Sequence, residues 1–267
     1  MNGAGNRFIF ADLRDQTSPL ELTSDQVRDL ARAHDFDQLL LLETSTAADA
    51  FMRIWNCDGA EVEACGNGTR AAAWAMMQSV TAEQVTIDTQ GGLLRATRPG
   101  EMTISVDMGQ PALDWRDIPT THAVDTLAMD YAAEAGGVRV EQPGAVNMGN
   151  PHAVFFVSDA EAIPLDQIGP RIETDPLFPE KINASFAQIL DREHIRLRVW
   201  ERGAGITAAC GTAACATLVA AARRDLTDRE ATIHADGGDL QIAWRTQDNH
   251  VVLTGPVEDE GPIDIEL

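Results

Sequence analysis

The apolar positions fall in short runs separated by polar turns, with only a few stretches long enough for a helix. Phe8–Leu13, Gln38–Glu43 and Phe51–Asn56 are short apolar or alternating runs and predict strands. Thr23 with Gln26 forms a capping box, so a helix is predicted from there to about Ala33. The alanine-rich run Thr69–Ser79 predicts a second helix. Val85–Thr89 and Leu93–Ala96 flank Gly91-Gly92, a hairpin signal, and Met102–Val106 supplies a further strand.

This pattern is written twice. EACGNGTRAAAWA surrounds Cys65 and AACGTAACATLVA surrounds Cys210, 145 residues later. TIDTQGGLLRA (Thr86 to Ala96) is echoed by TIHADGGDLQI (Thr232 to Ile242), with Gly91 and Gly237 offset by 146. Two independent matches at nearly one offset imply an internal repeat. In the second copy Ala184–Leu190 and Ile195–Trp200 predict strands, Gly211 to about Arg223 a helix, and Gly237-Gly238 a hairpin. The stretch from Pro111 to Gly144 mixes prolines, charges and alanines and is expected to bridge the halves. The prediction is an α+β fold of two pseudo-symmetric domains with the site in the cleft between them, where ligands favour binding. Residues 1–111, completed by 256–267, form the half carrying Cys65, and residues 112–255 the half carrying Cys210.

Composition narrows the function. Hydrophobic residues make up 44% of 267, enough for a sizeable core, and aromatics only 5%, so that core is aliphatic. The net charge of −22 repels nucleic acid and anionic membranes, so neither is expected as a partner. No apolar run of about 18 residues suits a membrane span, and residues 1–12 lack the layout of a secretory signal. The cytoplasm is therefore the expected compartment, which argues against structural disulfides among Cys57, Cys65, Cys210 and Cys215. Their spacing matches no zinc pattern, so no metal is expected.

Each repeat places Cys-Gly where a loop becomes a helix. A helix start offers unpaired N–H groups and a partial positive charge, which favour thiolate and cradle a carboxylate. Cys57 and Cys215 lack this context and are read as small buried hydrophobes. Two equivalent cysteines suit inversion at a carbon bearing hydrogen: one removes a proton from one face, the other returns one to the opposite face. Lys181 is the single lysine and is not placed to hold pyridoxal phosphate, so a cofactor-free route is expected.

The residues that carry this chemistry resemble the diaminopimelate epimerase family over nearly the whole chain. Asn56 to Arg70 (NCDGAEVEACGNGTR) is similar to its first cysteine signature and Glu201 to Thr212 (ERGAGITAACGT) to its second. Met148-Gly-Asn-Pro-His-Ala-Val resembles its central motif and Asn2-Gly-Ala-Gly-Asn6 its N-terminal one. The resemblance implies that each domain is a mixed or antiparallel sheet around a central helix. It implies that Cys65 and Cys210 are the acid–base pair, with His152 and Glu201 tuning their protonation. Gly66-Asn67 and Gly211-Thr212 present backbone N–H groups to the reacting carboxylate. Asn6, Gln38, Asn56, Asn150, Asn183, Glu201 and Arg202 line the pocket, Arg202 meeting the distal carboxylate as a guanidinium fork can. The implied reaction interconverts LL- and meso-2,6-diaminopimelate without a cofactor, in lysine and peptidoglycan precursor synthesis, by a homodimer. The chain departs from the family's usual residues at Arg7, at His34–Phe36 before the Asp37-Gln38 pair, and at Ile206, where a glutamate is common.

Two other readings remain open on the residues alone. One is a racemase of proline, hydroxyproline or another amino acid on the same scaffold. The other is a non-catalytic amino-acid-binding module, or a redox sensor that joins Cys65 to Cys210.

Overall fold

A computed structural model of the chain describes residues 1–3, 5–16, 20–62, 65–79, 82–263 and 265. Ala4 of the N-terminal motif, Glu63 and Ala64 of the first cysteine signature, and Asp264, Glu266 and Leu267 of the C-terminal segment lie outside the described residues. The chain divides into two compact units, one of residues 1–107 with 254–267 and one of residues 108–253.

The first unit runs β1 (Asn2–Gly3), β2 (Asn6–Asp12), α1 (Ser24–His34), β3 (Gln38–Glu43), β4 (Ala50–Asn56), β5 (Glu61–Val62), α2 (Gly66–Ser79), β6 (Gln84–Thr89), β7 (Gly92–Gly100) and β8 (Thr103–Asp107). Its sheet order is β1-β2-β3-β4-β6-β7-β8. The β2–β3 and β4–β6 pairs are parallel, and the others along this path are antiparallel. The C-terminal segment returns to this unit, with Asn2 and Glu258 exchanging backbone hydrogen bonds of 2.8 Å.

The sequence explains the layering. In β3 four consecutive leucines are buried on both faces, as a strand covered on both sides requires. Leu39 and Leu41 join Val27 and Leu30 of α1 in one apolar cluster. Leu40 faces the opposite way, toward α2. Helix α2 is buried nearly all round, and its Ala71–Ala73 are fully inaccessible. Small side chains there let strands on several sides come close. The capping box at Thr23 is formed, Thr23 Oγ1 accepting from the Gln26 N–H at 3.3 Å, and α1 ends at Asp35 in the left-handed region.

The second unit opens with β9 (Ala132–Ala135) and β10 (Val138–Glu141). It continues with β11 (Gly144–Asn147), β12 (Pro151–Phe156), α3 (Leu165–Glu173), β13 (Asn183–Ile189), β14 (His194–Glu201), β15 (Gly205–Ile206), α4 (Gly211–Arg223), β16 (Glu230–Ala235), β17 (Gly238–Trp244) and β18 (Val251–Pro256). Within β18 the chain passes back to the first unit at Thr254. Sheet order here is β11-β12-β13-β14-β16-β17. The pairing senses repeat those of the first unit: β11–β12 antiparallel like β1–β2, β12–β13 parallel like β2–β3, β13–β14 antiparallel like β3–β4, β14–β16 parallel like β4–β6. Helices α1 and α3 occupy the same place in the order, as do α2 and α4. The duplicated sequence is therefore a duplicated topology, α+β in each copy.

Both glycine hairpins form, with turns at Gln90-Gly91 and Asp236-Gly237 and Gly92 and Gly238 at positive φ. Three elements depart from expectation. Helix α2 begins at Gly66, three residues before Thr69. Glycine is a poor helix former, but a Cβ on Gly68 would lie 3.0 Å from Leu40 Cδ2, so packing decides the residue. The 111–144 stretch, read as a bridge, carries its own β9–β10 hairpin about Gly136-Gly137. Helix α3 forms despite Gly169 and Pro170, because Leu165, Ile168 and Ile172 sit in an apolar cluster with Phe155 and Phe186.

Candidate active site

In the first unit Cys65 lies immediately before α2 and is half-buried. Its sulfur accepts the Gly68 N–H at 3.2 Å, and its carbonyl accepts the Thr69 N–H at 2.8 Å. The sulfur thus occupies the position of an N-cap acceptor, satisfying one of the orphan donors of the helix start. Asn67, 2% exposed, donates from Nδ2 to Asn6 Oδ1 at 2.5 Å and accepts from the buried Arg70 guanidinium at 2.8 Å. Gln38 Nε2 donates to Asn56 Oδ1 at 2.9 Å, the two residues facing each other at the start of β3 and the end of β4. Gly66 is the first residue of α2. The side chains of Asn6, Asn67, Gln38 and Asn56 therefore form two bonded amide pairs.

In the second unit Cys210 is the N-cap of α4, with extended backbone (φ −126°, ψ 115°). Its sulfur takes a backbone hydrogen bond from Ala213, the same three-residue relation as Cys65 to Gly68. The Thr212 hydroxyl lies 3.3 Å from that sulfur. His152 Nε2, from β12, lies 3.1 Å from the same hydroxyl and 2.9 Å from Asn150 Oδ1. The Asn150 oxygen can only accept, so Nε2 carries the ring proton, and the Thr212 proton is left for the sulfur. Glu201, at the end of β14, accepts from Thr207 at 2.5 Å and is within hydrogen-bonding reach of Cys210. Asn183 donates to the Pro151 carbonyl and accepts the Arg202 N–H, both at 2.8 Å. The Arg202 side chain is exposed, one of its nitrogens donating to the Glu180 carbonyl at 3.0 Å. Gly211 is the first residue of α4 and is buried.

The electrostatics correct one expectation. The helix start was expected to favour thiolate, but burial pushes the Cys210 thiol well above its ordinary range and the adjacent Glu201 carboxylate adds to the rise. The Thr212 hydroxyl and the Ala213 N–H oppose this without reversing it. Desolvation also raises Glu201 above the usual carboxylate value. His152 is driven down to about 3 by burial, with Arg202 contributing, and is a neutral hydrogen-bonding group.

Other residues stand apart from this set. Cys57, read as a buried hydrophobe, is exposed because it follows β4 on the surface turn; Cys215 is buried inside α4. Lys181 pairs with the buried Glu173 at 3.3 Å. Among the described residues no group of three or more His, Cys, Asp or Glu side chains is placed to hold a metal ion. No described helix is long and apolar enough to cross a membrane.

Three residues absent from the predicted site support it. Thr207 holds Glu201. Glu173 accepts from Trp200 Nε1 at 2.7 Å and from the Gly203 N–H at 3.1 Å, fixing the turn that carries Glu201 and Arg202. Arg70 holds Asn67. For Arg70 the signal was available, since a charge three residues after Asn67 in an alanine-rich helix lies on the same face. Thr207 and Glu173 carried none.

A predicted epimerase from Pseudomonas aeruginosa has the same fold, with a TM-score of 0.66 over 96% of this chain and 93% of that one at 16% identity. Among sequence relatives, diaminopimelate epimerase of Phenylobacterium zucineum is 51% identical over 96% of this chain and 92% of its own length. That of Methylocella silvestris is 48% identical over 96% and 90%. Fold and relatives together make the chain an isomerase of the epimerase and racemase type. The diaminopimelate epimerase family model matches residues 1–113 and 144–259. The chain belongs to the diaminopimelate epimerase family.

Proposed function

We propose that the chain interconverts LL- and meso-2,6-diaminopimelate, with Cys65 and Cys210 exchanging the α-proton as base and acid. The observation that carries this reading is the equivalence of the two cysteines. Each caps a buried helix at the same place in a duplicated topology, and each sulfur accepts the N–H three residues on. One thiolate takes the α-proton while the other cysteine, as thiol, delivers its own proton to the opposite face; the roles exchange in the reverse direction. The N–H groups at the starts of α2 and α4 are suited to hold the carboxylate on which negative charge develops. Cys210, kept protonated by burial and by Glu201, is the acid when Cys65 is the base. His152, neutral and bound through Thr212, supplies a hydroxyl donor to the Cys210 sulfur. Gln38, Asn56, Asn150, Asn183 and Arg202 are assigned to the substrate's amino and carboxylate groups, Arg202 to the distal carboxylate.

The same reading carries a place in lysine and peptidoglycan precursor synthesis in the cytoplasm, and a homodimer, which sedimentation tests. The activity is tested by incubating reduced protein with diaminopimelate in D2O without pyridoxal phosphate. Deuterium should enter the α-position, and Cys65→Ala or Cys210→Ala should abolish inversion. A folded, reduced protein that incorporates no deuterium would refute the reading.

A further inference from the structure

We propose that Arg70 is a positioning residue that orients the side-chain amides of Asn67 and Asn6 so that Asn6 offers N–H donors to a substrate carboxylate. The inference rests on the diaminopimelate reading above and deepens it by assigning a chemical polarity to one wall of the site.

Arg70 is 0% exposed, the largest fully buried side chain among the described residues. A guanidinium can only donate. Its bond of 2.8 Å to Asn67 therefore fixes the oxygen end of that amide, and the Asn67 Nδ2 is turned to Asn6 at 2.5 Å. Asn6 must then present its own oxygen to Asn67, which leaves the Asn6 N–H groups as the end of the chain. A row of amides that begins on a donor-only cation ends on a donor, and a terminal donor selects an acceptor such as a carboxylate. The tight seat of β1 against α2 supports the arrangement, since a Cβ on Gly3 would lie 3.4 Å from the Asn67 carbonyl and 3.6 Å from Arg70.

The second unit reaches the same polarity by other residues. The position of Arg70 is taken there by Cys215, and that of Asn67 by Thr212. His152 instead donates to Asn150 Oδ1 at 2.9 Å, so the Asn150 oxygen is also occupied and its N–H groups also remain. Asn6 opens β2 and Asn150 immediately precedes β12, the equivalent strand. Two unlike groups, a permanent cation and a neutral histidine, commit two equivalent asparagines to donating. That agreement fits a substrate with anionic ends.

The test measures KM and kcat for diaminopimelate in Arg70→Met, Asn67→Asp and Asn6→Ala, and in each of the first two combined with Asn6→Ala. Asn67→Asp keeps the buried cation paired but cannot donate to Asn6. Both single changes should raise KM about tenfold, the effect of a lost hydrogen bond to a charged group, with kcat within about threefold. In the Asn6→Ala background neither should raise KM further. A merely structural role predicts a lower Tm with unchanged KM, or changes that add to that of Asn6→Ala, and either result overturns the proposal. If Arg70→Met does not fold, Asn67→Asp decides alone. Wild-type protein that does not turn over diaminopimelate refutes the functional reading itself, and this proposal with it.

Discussion

Glu201→Gln should make Cys210 more acidic. The carboxylate is within hydrogen-bonding reach of the sulfur, and its charge is the second cause, after burial, of the raised thiol. A thiolate and a carboxylate about 4 Å apart repel by about 4 kcal/mol at an effective dielectric of about 20. That repulsion is the ceiling on what the neighbouring charge contributes. Glu201 is half-buried and its own proton affinity is raised, so its charge is partly screened and partly neutralised. The direction is nonetheless fixed: the fall is smaller than that ceiling and never a rise. The sign follows from the charged forms: the thiolate is an anion, so removing a neighbouring anion favours it. The assay is the pH dependence of iodoacetamide labelling of Cys210, followed by peptide mass spectrometry in a Cys57→Ser, Cys65→Ala background. The labelling midpoint should move down in Glu201→Gln, and only at pH values where Glu201 is ionised in the parent. A midpoint that stays or rises would show that burial alone sets the protonation of Cys210.

Thr212→Val removes the hydroxyl shared by His152 and Cys210 and should lower kcat by about tenfold, the worth of one hydrogen bond of about 1.4 kcal/mol; steady-state rates in both directions check it. His152 gives a pH-dependent stability: its folded value of about 3 lies below the ordinary 6.5, so between these values the unfolded chain binds the extra proton. Its contribution is complete above pH 6.5 and is lost on acidification toward pH 3 at up to about 1.4 kcal/mol per unit. Urea unfolding of His152→Gln should show a shallower acid-side slope than the parent, and equal slopes would contradict the buried neutral ring. Gly169→Ala would drive a Cβ into the Trp200 ring, so it should cost about 1–3 kcal/mol by overpacking and disturb the Glu201 turn. Calorimetry together with turnover would detect both effects.

Local rules were enough for much of the chain. The Thr23 box, the double-glycine hairpins and the four leucines of β3 each act through neighbours in sequence, and their elements lie close to where the pattern puts them. Helix α4 runs from Gly211 to Arg223 as its alanines require. Helix α3 was not legible, because Gly169 and Pro170 oppose a helix locally and distant apolar partners overrule them; the β9–β10 hairpin carried the same double-glycine signal at Gly136-Gly137 and was missed in a stretch read as a bridge.

By itself the sequence determined that the protein is built from two copies of one pattern, and that each copy sets a cysteine at the start of an alanine-rich helix. Repetition is a property of the string, and a helix start is a local event. Only the tertiary structure decided how those cysteines are surrounded. The Thr212 hydroxyl stands between Cys210 and His152, whose strand is sixty residues away along the chain; Arg70 is held against Asn67 and, through it, Asn6. The field at a helix start, readable in advance, favours thiolate, yet desolvation of Cys210 and the charge of Glu201 outweigh it. Burial depends on what the rest of the chain packs around an atom, and no local window contains that information.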